Sequence, residues 1–403
     1  MTKEEFTDLT LRKVESFIEE NLDKDPAKLA LSSQGSPLPI PLIASQLKYL
    51  QRARTKLPTY YNHRCILPPR AFEQSTSERS AALKPFQGSL FLDLTAGLGV
   101  DSKAMASIAE ALTCVERDPV LCEVLTHNFA KIGLPLPQII NDSAESFIQT
   151  YQGPEFDMVY LDPDRRGEGD IRLEDPALFS PNLFNTLPRL LEIGKEVWVK
   201  FSPLHDVYQI PVQFPQTTSV MVISVDGECK EVLAVFQKNM NTSLPSFQAR
   251  ISRAGESWSY LFHRGNKPSN LIDPSEPYMY LHQADVSLYK LRRVSEWWAE
   301  VAPTIKGGMN HPQGYFFSQE GVSAALPVRS YAIIRVFLYK PKKIKKTLQN
   351  IGIKKLEISK RQFPFSVAEI RKSIGIQAGG TYHLICTTFP DGSKRAFLCE
   401  IES

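Results

Sequence analysis

At 403 residues, 42% hydrophobic and 23% charged, the chain is too long for a single core and too apolar to stay unfolded, which argues for two or three globular domains. No apolar run approaches the roughly 18 residues of a membrane span, and the acidic, polar start MTKEEFTDLT does not read as a secretory signal. The six cysteines are scattered with no C-x-x-C pair, as are the histidines, so no metal site and a reduced, cytoplasmic setting are expected.

Net charge is only +3, yet residues 327–403 carry 15 Lys and Arg against 5 Asp and Glu, a local charge of +10 on a body of −7. Such a segment suits a polyanionic partner; the alternative is a solvated helix face carrying lysines.

In chain order, residues 1–85 read as an N-terminal helical region. LRKVESFIEENL and PLIASQLKYLQRARTKL place apolar residues at helical spacing around the turn-rich SSQGSPLP. Residues 86–238 then alternate strands and helices. Strands are expected at 88–94, 111–116, 138–141, 156–161 and 197–201, with helices at 101–109, 118–131 and 181–191. This is the pattern of an α/β, Rossmann-like parallel sheet with helices on both faces. SVMVISV (219–225) and VLAVF (232–236) around Asp226-Gly227 predict a terminal antiparallel hairpin.

Residues 239–272 read as a connector with some strand content, 247–252 and 258–263. A small ferredoxin-like domain is expected at 273–326, with a strand at 278–283 and an amphipathic helix at 284–301. A basic small α+β domain follows at 327–403, alternating β-α-β-α-β-β.

The strongest local signal is DLTAGLGVDS at 93–102. Gly97 and Gly99 sit where a strand turns into a helix, letting a ligand approach the backbone. A pyrophosphate would be repelled by Asp93 at the strand end, whereas the ammonium and sulfonium of S-adenosylmethionine favour a carboxylate there. Ser102 also departs from the sixth position of the dinucleotide fingerprint. The competing reading of Asp93 is a turn cap. Glu116 ends the next strand, placed for ribose hydroxyls, and Asp142, beside Ser143, follows the third, placed for an adenine amine. Around these the expected cofactor contacts extend to Thr95, Asp101 and Arg117.

The fourth strand ends in YLDPDRR. Asp162 and Pro163 stand where the donated methyl group would emerge, with Asp162 orienting or deprotonating the acceptor. Arg165 and Arg166 either hold a substrate phosphate or carboxylate, Arg165 at the catalytic edge, or pair with Glu168, Asp170 or Glu174. Upstream, EQSTSE (73–78) either folds over the cofactor through Gln74, Ser75 or Glu78, or starts a helix with Ser75 and Glu78 as a capping box.

These motifs, with VERDP at 115–119, GECKEVL at 227–233 and LEISKR at 356–361, resemble the class I S-adenosylmethionine-dependent methyltransferases. More narrowly, the chain is similar to a bacterial family with a THUMP-like C-terminal domain preceded by a small ferredoxin-like one. DLTAGLG is also similar to the motif of a small-subunit ribosomal RNA guanine methyltransferase family. The resemblance implies cofactor contacts at Asp93, Gly97, Glu116 and Asp142, Asp162 facing the acceptor, and an RNA-binding tail. Lys342 and Lys343 are the expected phosphate contacts, and the substrate is expected to be transfer or ribosomal RNA. The D/N-P-P-aromatic signature of exocyclic base-amine methylation is altered here, Asp164 and Arg165 replacing its last two residues. The alternative is a methyltransferase of a small molecule or protein whose tail serves assembly.

Overall fold

The computed structural model describes residues 1–31, 36–164, 176–238, 244–263, 271–272 and 276–401. The chain divides into two compact units, Met1–Val225 with Lys230–Pro245, and Asp226–Cys229 with Ser246–Ser403.

The first unit is built on seven strands: β1 (Leu90–Asp93), β2 (Ala111–Glu116), β3 (Gln138–Asn141), β4 (Phe156–Leu161), β5 (Gly194–Phe201), β6 (Thr217–Val225) and β7 (Glu228–Gln237). Their order is β3-β2-β1-β4-β5-β7-β6. The pairs among β1 to β5 are all parallel, and β7 runs antiparallel beside β5, Phe201 opposite Val232. Strands covered on both faces need apolar residues at every position rather than alternate ones, and β6 shows this, with seven consecutive buried residues from Ser219 to Val225. The reversed strand expected from the Asp226-Gly227 turn is thus present, and both turn residues have positive φ (53° and 78°), as a type I′ hairpin turn requires.

Helix Pro119–Ile132 shows how local sequence sets these boundaries. Asp118 Oδ1 accepts from the Val120 and Leu121 amides, Pro119 opens the first turn, and Gly133 at φ 77° closes the last. The N-terminal helices pack against this same region: Val14, Ile43, Leu47, Leu50 and Tyr60 share one buried cluster with Leu98, Val100 and Val124. Between them runs 65–67, a segment pinned from both sides. Gln46 bonds Cys65 O and the Leu67 amide, and Asn128 bonds both polar groups of the Ile66 backbone. These four bonds, each contributing about 1 kcal/mol, deliver residues 68–78 to the carboxyl edge of the sheet.

The expected capping box at Ser75 is corrected. Ser75 closes helix Pro69–Gln74, and Ser77 is the cap, its side chain accepting from the Ser80 amide to start helix Glu78–Ala82. Both serines have extended backbone, but only Ser77 lies directly before a helical turn, whereas Ser75 follows one.

In the second unit the connector supplies a hairpin, β8 (Ser246–Arg253) and β9 (Glu256–Phe262). A seven-stranded sheet follows, made of β10 (Tyr280–Ala284), β11 (Gly307–Met309), β12 (Phe316–Ser318), β13 (Val328–Leu338), β14 (Glu357–Lys360), β15 (Tyr382–Thr388) and β16 (Lys394–Ile401). Their order is β11-β12-β10-β13-β16-β15-β14. β10 pairs with β13 from Leu281 opposite Tyr331 to Ala284 opposite Val328, so strands from 273–326 and from 327–403 share one sheet. Helices Pro341–Asn350 and Val367–Ile374 cover one face through Ile344, Leu348, Ile370 and Ile374. Leu281, Tyr315, Phe317 and Phe397 fill the other. The single helix expected at 284–301 is two, Val286–Lys290 and Val294–Val301; Arg292 between them has φ 52°, which no continuing right-handed helix allows.

Candidate active site

The carboxyl ends of β1, β2 and β4, with the residue after β3 and the 68–76 segment, enclose a cleft of about 670 Å³. Asp93, Gly97, Glu116, Asp142, Asp162 and Thr76 are among its lining residues. The crossover after β1 creates it: Gly97 (φ 53°) and Gly99 (φ 79°) bend the chain left-handedly into helix Val100–Ala106.

The two glycines have different reasons to be there. A Cβ on Gly97 would meet nothing nearer than Thr95 O at 3.9 Å, so the space above it is open to a ligand. A Cβ on Gly99 would fall 2.2 Å from Leu125 Cδ1 and 3.1 Å from Phe129 Cε2. Gly99 lines the cleft as well, but its lack of a side chain is required by helix packing.

Asp93 and Glu116 both line the cleft and both are deeply buried, 1% and 9% exposed. Asp93 Oδ1 accepts from the Thr95 amide at 3.1 Å and Oδ2 from Ser102 Oγ at 2.5 Å. Burial, opposed by the Ser102 hydrogen bond and reinforced by nearby Asp101, pushes its carboxyl up to about 7. Glu116 accepts the Gly97 amide through Oε2 and the Asp118 amide through Oε1, each at 2.9 Å. Asp142 accepts from the Ser143 amide at 2.8 Å. Ser143 itself is not among the lining residues; its hydroxyl accepts from the Ser146 amide and caps helix Ala144–Thr150. Arg117 lines the cleft and pairs with Asp164 at 3.0 Å.

Asp101 lines the floor of the cleft and is tied into a buried polar network there. Its Oδ1 takes Lys84 Nζ at 2.6 Å, and its Oδ2 takes Thr76 Oγ1 at 2.9 Å and Tyr160 OH at 3.1 Å. Burial alone would raise its carboxyl, but the charges of Lys84 and Lys200 outweigh it and hold the group below its ordinary value. Lys84 also lies 2.8 Å from Glu231. Thr95 lines the cleft, and its Oγ1 accepts the Asp162 amide at 2.8 Å, tying β4 to the glycine turn. Asp162 and Pro163 line the opening, and Lys200 Nζ bonds Asp162 Oδ2.

Thr76, Lys84 and Lys200 escaped the sequence reading. The missed signal for Lys200 was its place in Val197-Trp-Val-Lys-Phe201, a charge within an apolar strand buried on both faces. Of EQSTSE, Glu73, Gln74, Ser75 and Thr76 line the cleft, whereas Glu78 turns away to Thr59 and Lys103. Arg165 and Arg166 lie outside the described residues. Lys342 and Lys343 are exposed on helix Pro341–Asn350 in the second unit, with Lys345 and Lys346.

Comparison with known proteins bears on the fold that holds this site. Residues 73–170 match the family model described as conserved hypothetical protein 95, and residues 328–401 the one described as THUMP domain-like. A 159-residue stretch is 28% identical to a protein named ribosomal RNA small subunit methyltransferase J from Legionella pneumophila (strain Lens), covering 36% of this chain and 63% of that one. A 148-residue stretch is 29% identical to its namesake from Coxiella burnetii (strain RSA 331 / Henzerling II), covering 34% and 52%. The chain thus spans less than two thirds of these relatives' length. A solved structure from Porphyromonas gingivalis W83, described as a candidate methyltransferase, superposes over the whole of both chains with a TM-score of 0.79 at 21% identity. Sheet order, reversed β7 and the superposition agree: the first unit has the class I methyltransferase fold, and residues 328–401 match a THUMP domain-like model.

Proposed function

We propose that the cleft binds S-adenosylmethionine and that the protein transfers its methyl group to RNA, transfer or ribosomal. The observation that carries this reading is the set of carboxylates Asp93, Glu116 and Asp142 at successive strand ends around one cleft, with Asp162-Pro163 at its rim. Their existing hydrogen bonds leave room for the ligand, since each carboxylate oxygen has two lone pairs. The open space over Gly97 admits a ligand to the backbone.

Bound there, S-adenosylmethionine supplies an electrophilic methyl carbon on a cationic sulfur. Asp93 answers positive charge on the amino-acid portion, Glu116 accepts from ribose hydroxyls and Asp142 from the adenine amine. Asp162 takes the hydrogen of the acceptor group and orients it, because an in-line displacement depends chiefly on alignment. The 15-to-5 excess of basic over acidic residues in 327–403, displayed in the exposed Lys342 and Lys343, supplies phosphate contacts. An RNA substrate of this kind puts the protein in the cytoplasm.

The test is transfer of labelled methyl from S-adenosylmethionine to total RNA from cells lacking this protein, followed by nucleoside mapping. One labelled nucleoside is the expected result; label confined to protein or small molecules overturns the RNA substrate.

A further inference from the structure

Asp162 is held from two sides. Its main chain is fixed by Thr95, whose Oγ1 accepts the Asp162 amide at 2.8 Å. Its side chain is fixed by Lys200, whose Nζ bonds Oδ2 from the end of the neighbouring strand. The Lys200 side chain is 8% exposed and that of Asp162 is 25% exposed, so the pair reaches from the buried network to the cleft. Lys200 Nζ in turn donates to Thr76 Oγ1 at 3.2 Å, and Thr76 spends its one proton on Asp101 Oδ2 at 2.9 Å. The hydroxyl's direction is thus settled, and its lone pair faces Lys200.

A lone buried ammonium tends to lose its proton. Here Asp162, Glu231 and Asp101 surround Lys200 from β4, β7 and helix Val100–Ala106, and their charges outweigh burial and keep it protonated. Among the described residues, further charged groups in this field include Asp93 on β1, which acts on and is acted on by Asp162, Lys84 beside Asp101, and, at a distance, Lys56 on helix Ile40–Lys56 and Lys230 on β7.

We propose that Lys200, steadied by Thr76, is a positioning residue that holds the Asp162 carboxylate aimed at the acceptor edge of the cleft. This rests on the methyl-transfer reading for its role, and gives the 73–78 segment a task beyond closing the cofactor site: Thr76 carries the Lys200–Asp162 pair.

The experiment follows the Asp162 carboxyl by 13C NMR in the full chain labelled at aspartate, with Asp162→Asn assigning the signal. Lys200→Gln is expected to displace this carboxyl signal and broaden it, and Lys200→Arg, which keeps the cation, to return it most of the way. Thr76→Val, which keeps the charge, displaces it less. In transfer to total RNA, Lys200→Gln lowers kcat about tenfold or more with little change in KM, Lys200→Arg recovers most of that loss, and the calorimetric affinity of Lys200→Gln for S-adenosylmethionine stays near that of the unsubstituted protein. An Asp162 signal unmoved in folded Lys200→Gln overturns the proposal. Should that variant fail to fold, an unmoved signal in Thr76→Val does the same. If the unsubstituted protein labels no RNA, the RNA reading falls while the carboxyl signal still decides the role of Lys200.

Discussion

Ser102 Oγ lies 2.5 Å from Asp93 Oδ2, bridging the first turn of helix Val100–Ala106 to the end of β1. The residue that breaks the dinucleotide fingerprint is thus the one that steadies the carboxylate. Burial raises Asp93 from its ordinary 3.8 to about 7, so the folded state favours its protonated form. Folding stability contributed by this group therefore falls as pH rises from about 4 to about 7.

Binding of a cationic donor depends on pH in the opposite sense. S-adenosylmethionine affinity is expected to increase as pH passes upward through about 7 and to level off above it. Asp93→Asn should remove this dependence and weaken binding by about 10- to 100-fold, the loss of a hydrogen bond to a charged group. Calorimetry from acid to mildly alkaline pH checks both, and a flat profile in the unsubstituted protein would contradict the assignment.

The two cleft glycines should separate stability from binding. Gly99→Ala forces a Cβ into Leu125 and strains a left-handed residue, costing about 2–4 kcal/mol. Gly97→Ala meets no wall and costs only the left-handed strain, about 1–2 kcal/mol, yet it fills the ligand's approach. Denaturant melts and donor calorimetry on both variants should show the first losing mainly stability and the second mainly affinity.

Lys84 is the buried cation between Asp101 and Glu231. Lys84→Met should destabilise the protein by about 2–4 kcal/mol, because it leaves Asp101 and Glu231 to share Lys200 as their buried counter-charge. Adding Asp101→Asn should recover part of the loss. Equilibrium unfolding of both proteins measures it, and equal stability of the two would show that the charges are not coupled.

On the second unit, Lys342→Glu with Lys343→Glu in the full chain should weaken RNA binding and lower the slope of log affinity against log salt by about two. Fluorescence anisotropy with labelled transfer and ribosomal RNA reads the slope. An unchanged slope removes these lysines from the phosphate contacts.

What the sequence made legible follows from where information is local. Strand ends, the glycine turn and the Asp226-Gly227 reversal are written in neighbouring residues, and β2, β3 and β4 appear at the expected positions. Thr76, Lys84 and Lys200 reach their partners in the network across 17 to 124 residues of chain, and no periodicity reports a contact of that range. Ser75 and Ser77 illustrate a finer failure: both lie upstream of Glu78 in extended backbone, and only the residue at which helix Glu78–Ala82 starts decides which one caps. Likewise the apolar pattern at 284–301 continues through Leu291–Arg293 although the helix does not, because hydrophobic spacing survives a break that costs one left-handed residue.

The pairing of β10 with β13 bears on how the basic segment can be handled. Asn310, ahead of it in the chain, also reaches across to Thr387 Oγ1 and Thr388 O, each at 2.8 Å, so neither flank of 328–401 is self-sufficient. Excised at 327, the fragment would present a naked strand edge along Val328–Ala332 and lose the Tyr315 and Phe317 rings that fill its floor. Exposed edges of this sort recruit other chains, and any nucleic acid retained by such a fragment would report its stickiness. The smallest fragment that keeps both flanks begins ahead of β10.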